Sequence, residues 1–120
     1  MLQLTPHHRL LLAVNPVDFR RGIDGLAAAC QLVLNEQPLS GTVFVFANRS
    51  RTAVKILVYD GHGYWLCHRR FSKGKLKWWP SSVKKTAAIN AADLQVLLYQ
   101  GLPHASQMSA PFKSVRTKDD

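Results

Sequence analysis

The sequence predicts an α+β fold, an antiparallel β-meander of about four to five strands with two packed α-helices. Two observations carry this. From Val43 to Pro80, short runs rich in β-branched and aromatic residues alternate with three polar turns, as in strands joined locally. On either side, apolar residues recur at three- and four-residue spacing, the period of a helix with one buried face. At 120 residues and 47% hydrophobic, the chain can form one domain with an ordinary core. Residues 1–102 are assigned to that domain, and residues 103–120, which lack apolar periodicity, are expected to be a disordered tail.

Taken in order, Arg9 to Val14 (RLLLAV) is a nearly continuous apolar run, consistent with a strand buried on both faces. Asn15-Pro16 ends it, because the residue before proline is pushed toward extended geometry. Asp18 is a candidate helix cap, and Ile23, Leu26, Ala27, Cys30, Val33 and Leu34 form one apolar stripe. Gly22 and Gly25 each weaken a helix by about 1 kcal/mol. The helix is therefore expected to start near Asp24, with residues 19–22 as a separate turn; close approach of another backbone at the glycines is the alternative. Asn35 to Gly41 is a loop.

Thr42 to Ala47 (TVFVFA) has no polar alternation and reads as a central strand. Ala53 to Tyr59 follows, with Val54, Ile56 and Val58 on one face and Lys55, Leu57 and Tyr59 on the other. Asp60-Gly61-His62-Gly63 is the strongest hairpin signal, since Asp-Gly suits the positive φ angles of tight turns. Tyr64 to Phe71 is the next strand and Leu76 to Trp79 a short further one, stopped by Pro80. Ser81 to Ala88 reads as a basic linker. Asn90 caps a second helix that Asp93 supports and Gly101 ends.

Charge is concentrated. Ten Lys and Arg lie between Arg49 and Lys85 against one acid, Asp60, a net of +9 that equals the formal charge of the whole chain. Clustered Lys and Arg gain free energy by releasing counterions from nucleic-acid phosphates. The candidate nucleic-acid-binding residues are Arg49, Arg51, Lys55, Arg69, Arg70, Lys73, Lys75 and Lys77, read as a basic sheet face. Arg20 and Arg21 are a candidate protein contact. Aromatics among these cations could stack on unpaired bases, but a sheet needs one apolar face, so Trp65, Phe71 and one of Trp78 and Trp79 are assigned to the core.

Catalysis is not expected. Of seven acids, only Asp24 and Glu36 lack an evident capping, turn or tail role, whereas a two-metal nuclease needs several converging carboxylates. His62, Cys67 and His68 lie close in sequence, but Cys67 and His68 should point to opposite faces of a strand. A fourth zinc ligand would have to come from His7, His8 or His104. No phosphate-cradling glycine loop or nucleophile elbow occurs. No metal or cofactor is expected. Cys30 and Cys67 are expected to be reduced, as suits a cytoplasmic protein. No apolar run is long enough for a membrane span and no secretory signal pattern is present.

The segments VDFRRGIDGL, VFVFANRSRTAVKILVYDGHGYWLCHRRFSKGKLKWWP and NAADLQVLLYQGL together resemble the accessory protein of bacterial insertion-sequence family 66 elements, the second open reading frame product of TnpB type. The anchors are Asp18, Arg20-Arg21-Gly22, Asp24-Gly25-Leu26, Val45-Phe46, Asn48-Arg49, Lys55, Asp60-Gly61, Gly63, Trp65-Leu66, Arg70, Gly74 and Trp79-Pro80. The family pattern has Gly-Asp after the Arg turn and Trp-Trp before Asp-Gly, where Ser50 to Thr52 and Val58-Tyr59 stand here. The resemblance implies a protein needed, beside a separate transposase, for the element to move, and it carries no catalytic residues. With the charge block added, the expectation is a non-enzymatic accessory factor binding DNA phosphates alongside that transposase.

Overall fold

The computed structural model describes residues 9–32 and 41–103. It has five strands and two helices, β1 (Arg9–Ala13), α1 (Ile23–Leu32), β2 (Thr42–Ala47), β3 (Ala53–Tyr59), β4 (Tyr64–Arg70), β5 (Thr86–Ala88) and α2 (Ala91–Leu98). The strands form one sheet in the order β4-β3-β2-β1-β5. The expected antiparallel meander holds for β2, β3 and β4. The sheet as a whole is mixed, because β1 and β2 pair in parallel, Leu10 with Val43 and Leu12 with Val45. The crossover through α1 forces this: a chain that leaves β1, returns over one face and enters the neighbouring strand arrives in the same direction.

Both faces of the sheet are covered, which is why β1, β2 and β3 lack polar alternation. On one face, α1 sets Leu26 and Cys30 against Leu11, Ala13, Phe44, Phe46 and Leu57. On the other, Leu10, Leu12, Val43, Val45, Val54, Ile56 and Val58 meet Leu94 and Leu97 of α2 together with Phe71, Leu76, Trp78 and Trp79. Each fully buried Leu, Val, Ile or Phe among them contributes about 1.5–3 kcal/mol by leaving water.

Two assignments change. Leu76 to Trp79 is not a strand. After Phe71 the chain turns under the sheet, held by Leu76 N–H to Arg51 C=O at 2.9 Å and by the Trp79 indole Nε1 to Ala13 C=O at 3.0 Å. The eight-residue α2 cannot cover that face alone, so the segment is spent on apolar cover instead of edge pairing, and both tryptophans are buried. The fifth strand is Thr86–Ala88, within the stretch read as a basic linker, and it pairs antiparallel with β1.

Helix α1 begins at Ile23, as the glycines suggest, and Asp18 does not cap it. The Asp18 carboxylate instead accepts from Arg20 N–H at 2.9 Å. Asn90 caps α2 as expected, its Oδ1 accepting from Asp93 N–H at 2.7 Å. At the other end of α2, Gln100 takes the left-handed conformation (φ 62°) and Gly101 N–H bonds to Val96 C=O at 2.9 Å. Val33, Leu34 and the 104–120 part of the tail lie outside the described residues.

Candidate nucleic-acid interface

Strand direction decides where the charge goes. The C-terminal ends of β1, β2 and β4 and the N-terminal ends of β3 and β5 share one end of the sheet. The segments at that end are the β1–α1 loop, the β2–β3 turn, the residues after β4 and those before β5. Together with the last two residues of β4, they carry Arg20, Arg21, Arg49, Arg51, Arg69, Arg70, Lys73, Lys75, Lys77, Lys84 and Lys85, and the described acids beside them are Asp18 and, at the start of α1, Asp24. Among the described residues, the charges at the other end are Arg9, Asp60 and Asp93. The charge is thus polarised along the strands, onto one end of the sheet and not onto a face.

Each proposed site residue can be placed in that frame. Arg49 is exposed in the β2–β3 turn. Arg51 is half-buried with φ 62°, and burial pushes its guanidinium down from the ordinary arginine value. Arg69 and Arg70 are exposed on opposite faces of β4, opposite Val54 and Ala53. Arg69 lies over the rings of Phe71 (5.8 Å) and Tyr99 (5.0 Å). Lys73, Lys75 and Lys77 are exposed in the segment after β4, whose backbone carbonyls at Lys73 and Lys75 accept from the Gln100 amide.

Lys55 is the exception. Only 7% exposed, it donates from Nζ to Phe19 C=O at 2.7 Å and Arg21 C=O at 3.0 Å, with the Phe19 ring beneath it. It is spent on holding the β1–α1 loop against the sheet, so it offers no ammonium to a ligand. What it positions is useful: the loop presents Arg20 and Arg21 next to the β2–β3 turn. Arg20 in turn grips Asp18 through Nη2 at 2.7 Å, which holds that exposed carboxyl down at about pKa 2. An open groove between the loop and the turn is lined by Asp18, Phe19, Arg20, Asn48, Arg49 and Ser50. Asn48 fixes the turn, its side chain accepting from Thr52 and Ala53 N–H and donating to Thr52 Oγ1.

Arg20 and Arg21, expected from the sequence as a separate protein contact, and Lys84 and Lys85, outside the candidate nucleic-acid set, stand at the same end as that set. Val14 N–H bonds to Lys85 C=O, which brings that pair to the same end. The clue was available in the parallel pairing of β1 with β2, had a β-α-β crossover been inferred from two fully apolar strands flanking one helix.

The aromatics divide differently from expectation. Phe71, Trp78 and Trp79 are buried, but Trp65 is 49% exposed on the edge strand, its Nε1 donating to Asp60 Oδ2 at 2.9 Å. Tyr99 is 67% exposed. Cys67 and His68 face opposite sides, and Cys67 and Cys30 pack into different layers and are not joined by a disulfide. Among the described residues, no three His, Cys, Asp or Glu side chains gather as a metal site would require. Asp24 is exposed at the start of α1, and Glu36, His7, His8 and His104 lie outside the described residues. No described helix is long and apolar enough to cross a membrane.

No solved structure matches the chain. Two curated relatives do, both described as uncharacterized proteins of Sinorhizobium fredii. One, y4hO, is 37% identical over 98 residues, covering 82% of this chain and 84% of the relative. The other, y4jC, is 32% identical over 105 residues, covering 88% of each. The family described as IS66 Orf2 like protein matches residues 8–108, which includes every described element and the whole basic end. The chain belongs to the IS66 Orf2-like family, accessory proteins associated with transposition of insertion-sequence elements.

Proposed function

We propose that this protein is a non-enzymatic, cytoplasmic accessory factor in transposition that holds DNA phosphates at the basic end of its sheet, beside the transposase of the same element. The observation that carries this reading is the polarisation itself, eleven Lys and Arg among the described residues brought to one end against two described acids. Five strands at ~4.8 Å spacing make that end about 20 Å across, wide enough for several phosphates. Cations presented from flexible loop side chains bind the backbone without reading base edges, so weak sequence preference is expected.

Binding to duplex DNA from the element ends, titrated between 50 and 200 mM salt, tests it. Contact with about six phosphates should weaken binding by about three orders of magnitude over that range. Reversing Arg70, Lys73, Lys75 and Lys77 to Glu should abolish binding, while His62→Glu at the opposite end should change it little. Weak, salt-insensitive binding would sink the proposal.

A second reading is favoured by the exposed Trp65 and Tyr99. In it the protein docks on the transposase through aromatics, Arg20 and Arg21 and touches no DNA. Co-purification that survives nuclease digestion, with transposition unaffected by the four charge reversals, would select it.

A further inference from the structure

Strand β4 is an edge of the sheet, seven residues long and exposed over much of its length, and no described strand pairs with its outer side. Asp60 N–H to Gly63 C=O and Phe71 N–H to Thr52 C=O, each 3.0 Å, bracket its pairing with β3. Antiparallel alternation between these points turns the backbone groups of Trp65, Cys67 and Arg69 toward β3. Those of Tyr64, Leu66, His68 and Arg70 therefore face outward. A long edge of this kind is normally blunted by proline, charged side chains, a bulge or a covering element. Among the described residues β4 has no proline, no bulge and no covering strand, and its charged side chains, Arg69 and Arg70, stand at one end only, leaving Tyr64 to Cys67 without such protection.

The side chains along β4 are ordered in a way that fits a second copy of the same strand. Its aromatics, Tyr64 and Trp65, are at one end, and its cations, Arg69 and Arg70, at the other. The geometry points to a homodimer in which two β4 strands pair antiparallel about a two-fold axis at Cys67. In that register Trp65 lies opposite Arg69 of the second copy, Tyr64 opposite Arg70 and Leu66 opposite His68. Cations over aromatic faces are attractive, and cross-strand neighbours are the pairs that count in a sheet. Arg69, which in its own chain rests against Phe71 and Tyr99, is exposed and would meet Trp65 of the second copy from its open side. The Asp60 carboxylate, held on the Trp65 indole at 2.9 Å, adds a negative charge where the incoming Arg69 arrives. Shifting the register by two residues sets His68 or Leu66 against its own copy and loses both cation–aromatic pairs. The outward-facing groups of all four residues are satisfied only in the Cys67-centred register. This accounts for an edge tryptophan left half in water, and it puts the two basic ends at opposite ends of a ten-stranded sheet.

The dimer can be measured without DNA, so its outcome is separable from the nucleic-acid proposal. Sedimentation of the full chain at micromolar concentration should give twice the 13.5 kDa chain mass. Trp65→Lys sets like charges across both symmetry-related pairs and should raise the dissociation constant about tenfold; adding Arg69→Glu to it should restore the dimer. Cys67 and its copy form a non-hydrogen-bonded pair about 4.5 Å apart at Cα, within disulfide reach. Copper phenanthroline with dioxygen, which takes up the two electrons and two protons, should therefore link wild type covalently but not Cys67→Ser. A monomer at all concentrations would overturn the proposal. So would a dimer that is indifferent to Trp65→Lys and cannot be linked through Cys67.

Discussion

Lys55 illustrates how a single residue can be charged, lie in a basic segment and still take no part in a charged surface. Its position in β3, on the face toward α1, was legible from strand alternation. Its partners were not, because Phe19 and Arg21 are more than 30 residues away and offer backbone carbonyls. Lys55→Met should cost about 1–3 kcal/mol, since two carbonyls lose a charged donor, read as a lower urea midpoint. Assayed well below its melting temperature, the same variant should lose from the salt slope of DNA binding no more than the share of Arg20 and Arg21, whose loop Lys55 anchors. Arg70→Ala should instead reduce that slope by roughly 1.

Asp18 was read as a helix cap and is instead a carboxylate clamped by Arg20. Its folded-state pKa of about 2 lies below the ordinary 3.8. Whatever stability the contact contributes is therefore present above pH 4 and lost as pH falls through about 2. The contribution is small because both groups are exposed. A carboxyl NMR titration should find Asp18 near 2, and Arg20→Ala should return it toward 4. Because Asp18 neutralises Arg20 in part, Asp18→Asn should strengthen phosphate binding slightly while leaving the loop anchored by Lys55.

At the scale of elements, runs with strong local signals formed where expected. Ala53–Tyr59 and Tyr64–Arg70 are joined by the Asp60 hairpin, whose Gly61 has φ +95° and whose carboxylate accepts from His62 and Gly63 N–H. Those backbone bonds, with the Trp65 indole, hold the Asp60 pKa below its ordinary value. The failures share a cause. Leu76–Trp79 has strand-like composition, and Thr86–Ala88 has almost none, yet only the second pairs. Pairing depends on which edge is vacant and which face is bare, and neither is encoded within four residues.

The end of α2 offers a test at the same scale. Gly101 follows the left-handed Gln100, and a Cβ there would sit 2.7 Å from Val96 Cγ1 and 3.1 Å from Val96 O. Gly101→Ala should therefore destabilise by roughly 1–3 kcal/mol through overpacking, seen as a lower melting temperature. Adding Val96→Ala should recover part of it, because the side-chain clash goes and the clash with the carbonyl stays.

For the molecule as a whole, the finding with most consequence is that a charge block in sequence becomes a charged end in space. A basic sheet face was expected; Arg69 and Arg70 on opposite faces of β4 exclude that simple form, while the turn and loop cations supply a rim. If the rim is the DNA contact, charges added there should act together. Arg21→Glu and Lys84→Glu, at positions 63 residues apart in the chain, should each weaken DNA binding by a similar factor and flatten its salt dependence. Measuring both slopes against that of His62→Glu checks whether the end acts as one surface.

The sequence by itself determined that there would be a strand-rich block, two amphipathic helices, a tight Asp-Gly hairpin and a surplus of cations. It also carried the family resemblance. Those depend on residues near one another along the chain: turn chemistry, apolar period and composition. The tertiary structure decided the parallel pairing of β1, the use of Leu76–Trp79 as cover, the burial of Lys55, the exposure of Trp65 and the gathering of Arg20, Arg21, Lys84 and Lys85 beside the central cations. Each of those depends on which surfaces were left bare once the strands had met, a competition for apolar cover and hydrogen-bond partners that only the assembled fold resolves.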